Sequence, residues 1–314
     1  MRTCAWLDSA INYSGCVRQL EDNESHTTIN YSPNGKLLAY GGLKGNYRII
    51  DTSNYSVFDS AIGRSYAVKK VAFSPGGNLL VESDSQGVVG FFKIEGKIVY
   101  LSNDIEIPLE KETTQHLDFA LSPDGSLIAT ASENTSVKIW NIKNRSLQRE
   151  FPSNGSVVAF SPDGTLVAAE TPDTNIALWR VADGTLLRTL TSNSKYRASV
   201  LAFSPDGSVL VAGNNSLNIW RVSDGILLRT LSDFENGING LAFSPAGNRL
   251  VTSTMPYYED NDDSDYLTVW DPNTGQQLKR WKDSGAATYG LAFSPDGKTL
   301  AAAGIDAVRV WRIT

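Results

Sequence analysis

The sequence predicts an all-β fold, and three observations predict it. A short apolar run followed by Ser-Pro, one further residue and Gly occurs seven times, starting at Ser32, Ser74, Ser122, Ser161, Ser204, Ser244 and Ser294. Successive starts lie 39 to 50 residues apart, a period that belongs to propeller blades. Within the period, strand-length runs bounded by turn residues recur four times. The expectation is therefore a seven-bladed β-propeller with four antiparallel strands to a blade, formed by residues 15–314, with residues 1–14 as a tail or the remnant of a further repeat.

The stretch from Val200 to Leu231 shows the unit. Val200-Leu201-Ala202-Phe203 reads as an inner strand, stopped by Ser204-Pro205-Asp206-Gly207. Pro presets φ for that turn and Gly accepts the left-handed position, so four residues reverse the chain without strain. Val209 to Ala212 gives a second strand, and the alternation in Leu217-Asn218-Ile219-Trp220 gives a third. The same Trp-ending pattern recurs at Val137–Trp140, Ile176–Trp179, Leu267–Trp270 and Val308–Trp311. A fourth strand follows each turn, as in Leu186-Leu187-Arg188-Thr189-Leu190 and Leu227-Leu228-Arg229-Thr230-Leu231.

The two ends of the chain test this reading. The last repeat stops at Thr314, after its third strand, while Gly15-Cys16-Val17-Arg18-Gln19-Leu20 has the apolar-Arg-polar-Leu ending of a fourth strand. The N-terminal strand is expected to complete the last blade, which closes the ring and removes two exposed sheet edges. In residues 1–14, Ala5-Trp6-Leu7-Asp8 looks like the end of another third strand. Two readings of it stand: a tail packed along the last blade, or the remnant of a longer array.

These residues resemble the WD-repeat β-propeller family, over nearly the whole chain from Gly15 to Thr314. The strand-ending Trp is the family's mark, although only Trp270-Asp271 keeps the full pair, and Ile50 and Phe92 stand where Trp is expected. The dense Ser-Pro-Asp-Gly turns give the likeness a bacterial look. The family also tends to carry a Gly-His pair ten or eleven residues ahead of the Ser-Pro turn. Here that His offset holds Asp22, Arg64, Glu112, Phe151, Ser194, Phe234 and Ser284, so the family's buried His-to-Asp network cannot be built. Apolar packing between blades is expected to carry more of the stability.

Composition narrows the partners. Hydrophobic residues make up 41% and charged residues 20%, an ordinary balance for a folded globular chain. The formal net charge of -6 repels phosphate backbones and anionic lipid, so neither nucleic acid nor membrane is an expected partner. No run approaches 18 apolar residues, and residues 1–15 lack the apolar core of a secretory signal, which points to the cytoplasm. Cys4 and Cys16 are the only cysteines. They fit a reducing compartment, and a disulfide between them would staple only the N-terminal tail.

Chemistry is sparse. The chain has two histidines, His26 and His116, both a few residues ahead of inner strands and neither beside a nucleophile elbow. Phosphate loops, paired-Cys zinc spacings and His-Glu-x-x-His helices do not occur in the sequence, so no catalytic residue and no cofactor is expected. The insertion Tyr257–Asp265 has two readings. One is a solvated acidic loop, as like-charge runs usually are; the other is a calcium site of Asp260, Asp262, Asp263 and Asp265, although its spacing fails as an EF-hand. A second insertion, from Asn103 to Thr114, sets Ile105, Ile107, Pro108 and Leu109 among carboxylates. It reads as a flap folded over the blade edge, or as a docking epitope.

The reading that follows is a non-enzymatic scaffold that binds a protein or peptide on the loop face and channel mouth, as a monomer. On family geometry the loops leading into inner strands share a face with those between second and third strands. That geometry gathers Tyr66, Arg197, Asn236, Tyr257, Tyr258 and Tyr289, residue types that interfaces favour. Truncation of Arg197 or Tyr258 is then expected to weaken capture with little change in melting temperature. The alternatives are a sensor or interaction module of a larger bacterial signalling protein, and a propeller hydrolase or lactonase. The last needs carboxylates and histidines converging at the channel mouth, and the inner strands offer few.

Overall fold

The computed structural model describes residues 16–20, 24–61, 66–96, 98–101, 117–133, 135–153, 155–192, 194–232, 234, 237–254, 265–283 and 287–313. Among them are 28 strands and no helix, and the strands form seven four-stranded antiparallel sheets. Blade 1 comprises His26–Tyr31, Leu37–Gly42, Tyr47–Asp51 and Val57–Ala61, and blade 2 comprises Val68–Phe73, Leu79–Asp84, Val89–Glu95 and Ile98–Leu101. Blade 3 runs through Leu117–Leu121, Leu127–Ser132, Val137–Asn141 and Leu147–Phe151. Blade 4 runs through Val158–Phe160, Leu166–Glu170, Ile176–Arg180 and Leu186–Leu190. Blade 5 holds Val200–Phe203, Val209–Gly213, Leu217–Arg221 and Leu227–Leu231, and blade 6 holds Ile238–Phe243, Leu250–Thr254, Asp265–Trp270 and Gln277–Asp283. Blade 7 pairs Thr288–Phe293, Thr299–Gly304 and Val308–Arg312 with Cys16–Leu20 as its fourth strand. The fold class is the expected one: all-β, with the seven four-stranded blades of a β-propeller. Two compact units divide the chain, one of residues 1–71 with 239–314 and one of residues 72–238.

Every Ser-Pro-x-Gly turn closes in the same way. The Ser N–H donates to the carbonyl five residues on at 2.9–3.0 Å, and the Gly N–H donates back to the Ser carbonyl at 2.8–2.9 Å. The Ser hydroxyl oxygen then accepts the backbone N–H of Leu37, Leu79, Leu127, Leu166, Val209, Arg249 or Thr299 at 2.9–3.1 Å. All seven glycines sit at φ of 70–72°, a conformation that a Cβ would strain. Where the third turn residue is Asp, the same hydroxyl donates to its carboxylate. That bond, followed by the backbone N–H two residues on, holds Asp124, Asp163, Asp206 and Asp296 below the usual carboxylate range.

This turn fixes the register behind it. The Trp position of the third strand faces an apolar residue of the second strand in every blade: Trp140 opposite Ile128, Trp179 opposite Val167, Trp220 opposite Leu210, Trp270 opposite Leu250 and Trp311 opposite Leu300. Ile50 opposite Leu38 and Phe92 opposite Leu80 hold the same place, so the two drifted blades keep the frame while changing the side chain.

The N-terminal strand completes blade 7. Arg18 stands opposite Val310, Gln19 opposite Arg309 and Leu20 opposite Val308, with an irregularity at Val17 between Cys16 and Arg18. Arg18 also lies 5.6 Å over the ring of Tyr55 in the outer turn of blade 1, a cation–π contact between neighbouring blades. Equivalent arginines act similarly in the other unit. Arg149 donates to the Ala182 carbonyl at 2.6 Å, and Arg188 donates to the carbonyls of Val222 and Ser223. The Arg that marked the fourth strands in the sequence is thus a clip onto the next outer turn.

The core lies between blades. In one unit Ile29, Leu38 and Tyr40 of blade 1 pack on Ala301, Ala303, Val308 and Val310 of blade 7. In the other, Val158, Val167 and Trp179 of blade 4 pack on Ala129, Ile139 and Phe151 of blade 3. Polar bonds also cross these seams. Thr28 accepts the Val71 N–H, Asp118 accepts the Val158 N–H, Ser199 donates to the Ile238 carbonyl and Ser253 donates to the Thr288 carbonyl. The missing His network is therefore replaced by short side chains bonded to neighbouring backbone, and apolar packing does not act alone.

Two mutations probe this frame by urea denaturation. Ser161 is buried and bonds both Leu166 N–H and Asp163, so Ser161→Ala is expected to cost about 1–3 kcal/mol. Arg145 holds φ of 58° at the outer-turn position where Gly184, Gly225 and Gly275 stand in blades 4, 5 and 6. Relief of that left-handed strain outweighs the added freedom of the unfolded chain, so Arg145→Gly is expected to stabilise by up to about 1 kcal/mol.

Candidate interaction face

Three of the six residues expected on the loop face lie among the described residues, each at or just ahead of the first strand of its blade. Tyr66 precedes Val68 by two residues and is 49% exposed. Tyr289 is the second residue of Thr288–Phe293 and is half-buried. Arg197 precedes Val200 by three residues, with its side chain 39% exposed. Asn236, Tyr257 and Tyr258 lie outside the described residues, as do Asp260, Asp262, Asp263, His116 and residues 103–114. Asp265 opens the third strand of blade 6, with its Cα paired to that of Asp283. Among the described residues no group of three or more His, Cys, Asp or Glu is placed to hold a metal ion. His26 is buried, with its ring edge-on to Tyr40 at 4.9 Å.

The most detailed geometry surrounds Arg197. The second strand of blade 4 ends in Glu170, whose side chain is completely buried. One carboxylate oxygen accepts the Ala198 N–H at 2.6 Å, and the other lies 3.6 Å from the Arg197 guanidinium. Burial pushes the Glu170 carboxyl above the ordinary glutamate range; the Ala198 N–H and Arg197 pull it back, and Glu133 adds a smaller rise. Arg197 is therefore a structural counter-ion as well as a surface group. Its removal is expected to cost stability, in contrast to the unchanged melting temperature expected from sequence.

The loop ahead of Arg197 is held from below. Thr174 donates to the Ser194 carbonyl at 3.0 Å, Asn214 donates to the Arg197 carbonyl at 3.2 Å, and the Ser194 hydroxyl accepts the Tyr196 N–H at 3.1 Å. Ser192 accepts from Asn218 at 3.3 Å, and the Trp220 indole donates to the Thr191 carbonyl at 3.3 Å. This anchored loop exposes Lys195 and Tyr196, the latter at 57%. Neither Glu170 nor Tyr196 stood out in the sequence. The available signal was that Glu170 is the one carboxylate at its place in the repeat, nine residues after the Ser of each turn.

Seven four-stranded blades closed by a common turn define a repeat array of the propeller class. Three stretches, residues 111–141, 184–221 and 225–271, match the WD domain, G-beta repeat family. The chain carries WD repeats, and the likeness read from its Ser-Pro turns and Trp positions is borne out. The apoptotic protease-activating factor 1 of Mus musculus is 29% identical over 128 residues, which cover 40% of this chain and 10% of that protein. The Rattus norvegicus protein of the same name is 28% identical over 127 residues, again 40% and 10%. The matched stretch thus spans about a tenth of the length of these curated relatives.

A carboxyl whose pKa is higher in the folded state favours folding at acid pH and loses that contribution as pH rises through the folded value. The melting temperature of Glu170→Gln relative to the native chain is therefore expected to move in the variant's favour as pH rises above the ordinary glutamate range. Arg197→Ala is expected to lose about 1–2 kcal/mol at neutral pH, discounted for the exposure of the guanidinium, and less at acid pH. Equal pH profiles for native chain and Glu170→Gln would remove Glu170 as a stressed carboxylate.

Proposed function

We propose that the chain is a non-enzymatic protein-interaction scaffold, a cytoplasmic monomer that binds a protein or peptide through the loops at one end of its blades. The observation that carries this reading is hydrogen-bonded blades that expose Tyr66 in one unit, and Tyr196 and Arg197 in the other, on the loops that lead into first strands. Large aromatic and arginine side chains on a fixed frame are what binding hot spots use. WD-repeat propellers generally serve as interaction scaffolds, which supports the reading. The net charge of -6 supports a protein partner over nucleic acid or an anionic membrane.

A second reading is favoured by the comparisons: the array is an interaction module of a larger signalling protein. In the apoptotic protease-activating factors the matching stretch is a tenth of a much longer chain. An antibody raised against the array separates the two readings by the size of the protein detected in its native source, near 34.1 kDa or well above it.

Affinity capture from the native source tests the scaffold itself. Tyr66→Ala and Tyr258→Ala are each expected to reduce recovery of specific partners about tenfold or more with the melting temperature kept, as truncation of a hot-spot residue does. Undiminished recovery by the double variant would refute the role of this loop face.

A further inference from the structure

We propose that the outer rim of blades 3 to 5 is a second docking surface, fitted to an acidic segment of a protein partner whose apolar side chains seat on Leu147, Leu186, Leu187, Ile226 and Leu228. These residues lie on or beside the fourth strands, in one compact unit, and the proposal goes beyond the loop-face reading.

Burial singles out this rim. The seams bury only the last residue of each of the three strands, Phe151, Leu190 and Leu231. At the other end of the same strands Leu147, Leu186 and Ile226 are 44%, 54% and 53% exposed, and Leu187 and Leu228 reach solvent beside them. Large side chains gathered on a surface in this way mark a place that something covers. The three ribs adjoin. The outer turn of blade 4 lies against the Arg149 side chain of blade 3 at Gly184, and that of blade 5 lies against the Arg188 side chain of blade 4 at Gly225.

Charge identifies the occupant. The guanidinium groups of Arg149 and Arg188 are bonded to main-chain carbonyls, which hold them in place and leave their positive charge unneutralised. Lys143 and Arg145 stand exposed on the outer turn of blade 3 with no carboxylate partner among the described residues. The exposed pairs Arg180–Asp183 and Arg221–Asp224 balance themselves. In the Ser-Pro turns, Asp124, Asp163 and Asp206 are taken up by hydroxyl and N–H groups of their own turns. Glu150, bonded to the Ser136 hydroxyl, is the one acid on the three fourth strands. Apolar ribs set among cations complement a segment in which Asp and Glu separate apolar side chains. An anionic lipid surface offers the same two features, but it is wider than the rim and would also face the carboxylates of a chain whose net charge is -6. A short segment feels charges only within a Debye length of about 8 Å, so it meets the rim alone.

The test uses the full chain and fluorescein-labelled peptide pools in which Asp and Glu separate three Leu, Ile or Phe residues, matched by pools with Asn and Gln, or with Lys and Arg, in place of the acids. By fluorescence anisotropy the acidic pool is expected to bind about tenfold or more tightly than the amide pool, and to weaken between about 50 and about 300 mM salt. Leu186→Ser with Ile226→Ser, and separately Lys143→Glu, are expected to weaken binding several-fold with unchanged melting temperature. Lys195→Glu, exposed ahead of the first strand of blade 5, is expected to change nothing. Equal binding of acidic and amide pools, no binding by the acidic pool, or native affinity in both rim variants would each overturn the proposal. So would binding to phosphatidylserine vesicles that the rim variants abolish, or a dimer in sedimentation equilibrium that Leu186→Ser with Ile226→Ser dissolves, since either gives the rim another occupant. Capture through Tyr66 and Tyr258 is measured separately, so failure here leaves the loop face standing.

Discussion

A four-stranded sheet with two apolar faces cannot be stable alone, and every other feature of this protein follows from how those faces are covered. Each blade supplies Leu, Ile, Val or Ala from its second strand and Trp, Ile or Phe from its third, and these side chains pack on an adjacent blade. Coverage of that kind demands a constant register, since a slip of one residue would turn the apolar set to the wrong face. The Ser-Pro-x-Gly turn supplies the constancy. Its serine closes the hairpin with main chain and side chain together, so the second strand begins five residues after the Ser in six blades and six residues after it in blade 6.

That dependence explains what could be read from the sequence. The turn has a chemistry that few residues satisfy, so it stands out seven times, and the frame it sets places Ile50 and Phe92 beside the tryptophans in spite of their different side chains. The Arg of the fourth strands was also visible, and it identified Cys16–Leu20 as the missing strand of blade 7. Its reason was not visible, because the carbonyls it clips belong to a turn more than 30 residues further along. The Glu170 and Arg197 pair was hidden for a different cause. Periodic reading averages over blades, and Gly41, Ser83, Ala131, Gly213, Ser253 and Ala303 stand where blade 4 has its carboxylate.

The polar seams add to the apolar packing that loss of the family's histidine is expected to load more heavily. Thr, Ser and Asp side chains on first and second strands, or just ahead of a first strand, bond the main chain of the next blade, each by a contact suited to that junction. Such bonds add modest net free energy, of order 1 kcal/mol apiece, but a misaligned blade would leave buried groups without partners. They therefore select one alignment of neighbours more than they deepen the well. A buried carboxylate such as Glu170 is an extreme of the same device: it is tolerable only while Ala198 and Arg197 stand where they do.

The two ends of a blade carry unequal freedom, and this bears on where recognition can reside. At the end with the Ser-Pro turns, four residues of fixed conformation repeat in every blade, and any insertion would break the register on which packing depends. At the other end the connection between second and third strands ranges from three residues, 214–216 in blade 5, to ten, 255–264 in blade 6. Lengthening a surface loop costs little closure entropy and leaves the strands undisturbed. Large variation is thus tolerated at this end, which also bears Tyr66, Tyr196 and Arg197 on the loops ahead of the first strands. A frame that must stay constant and loops that need not are together what lets one repeat carry a different surface from blade to blade.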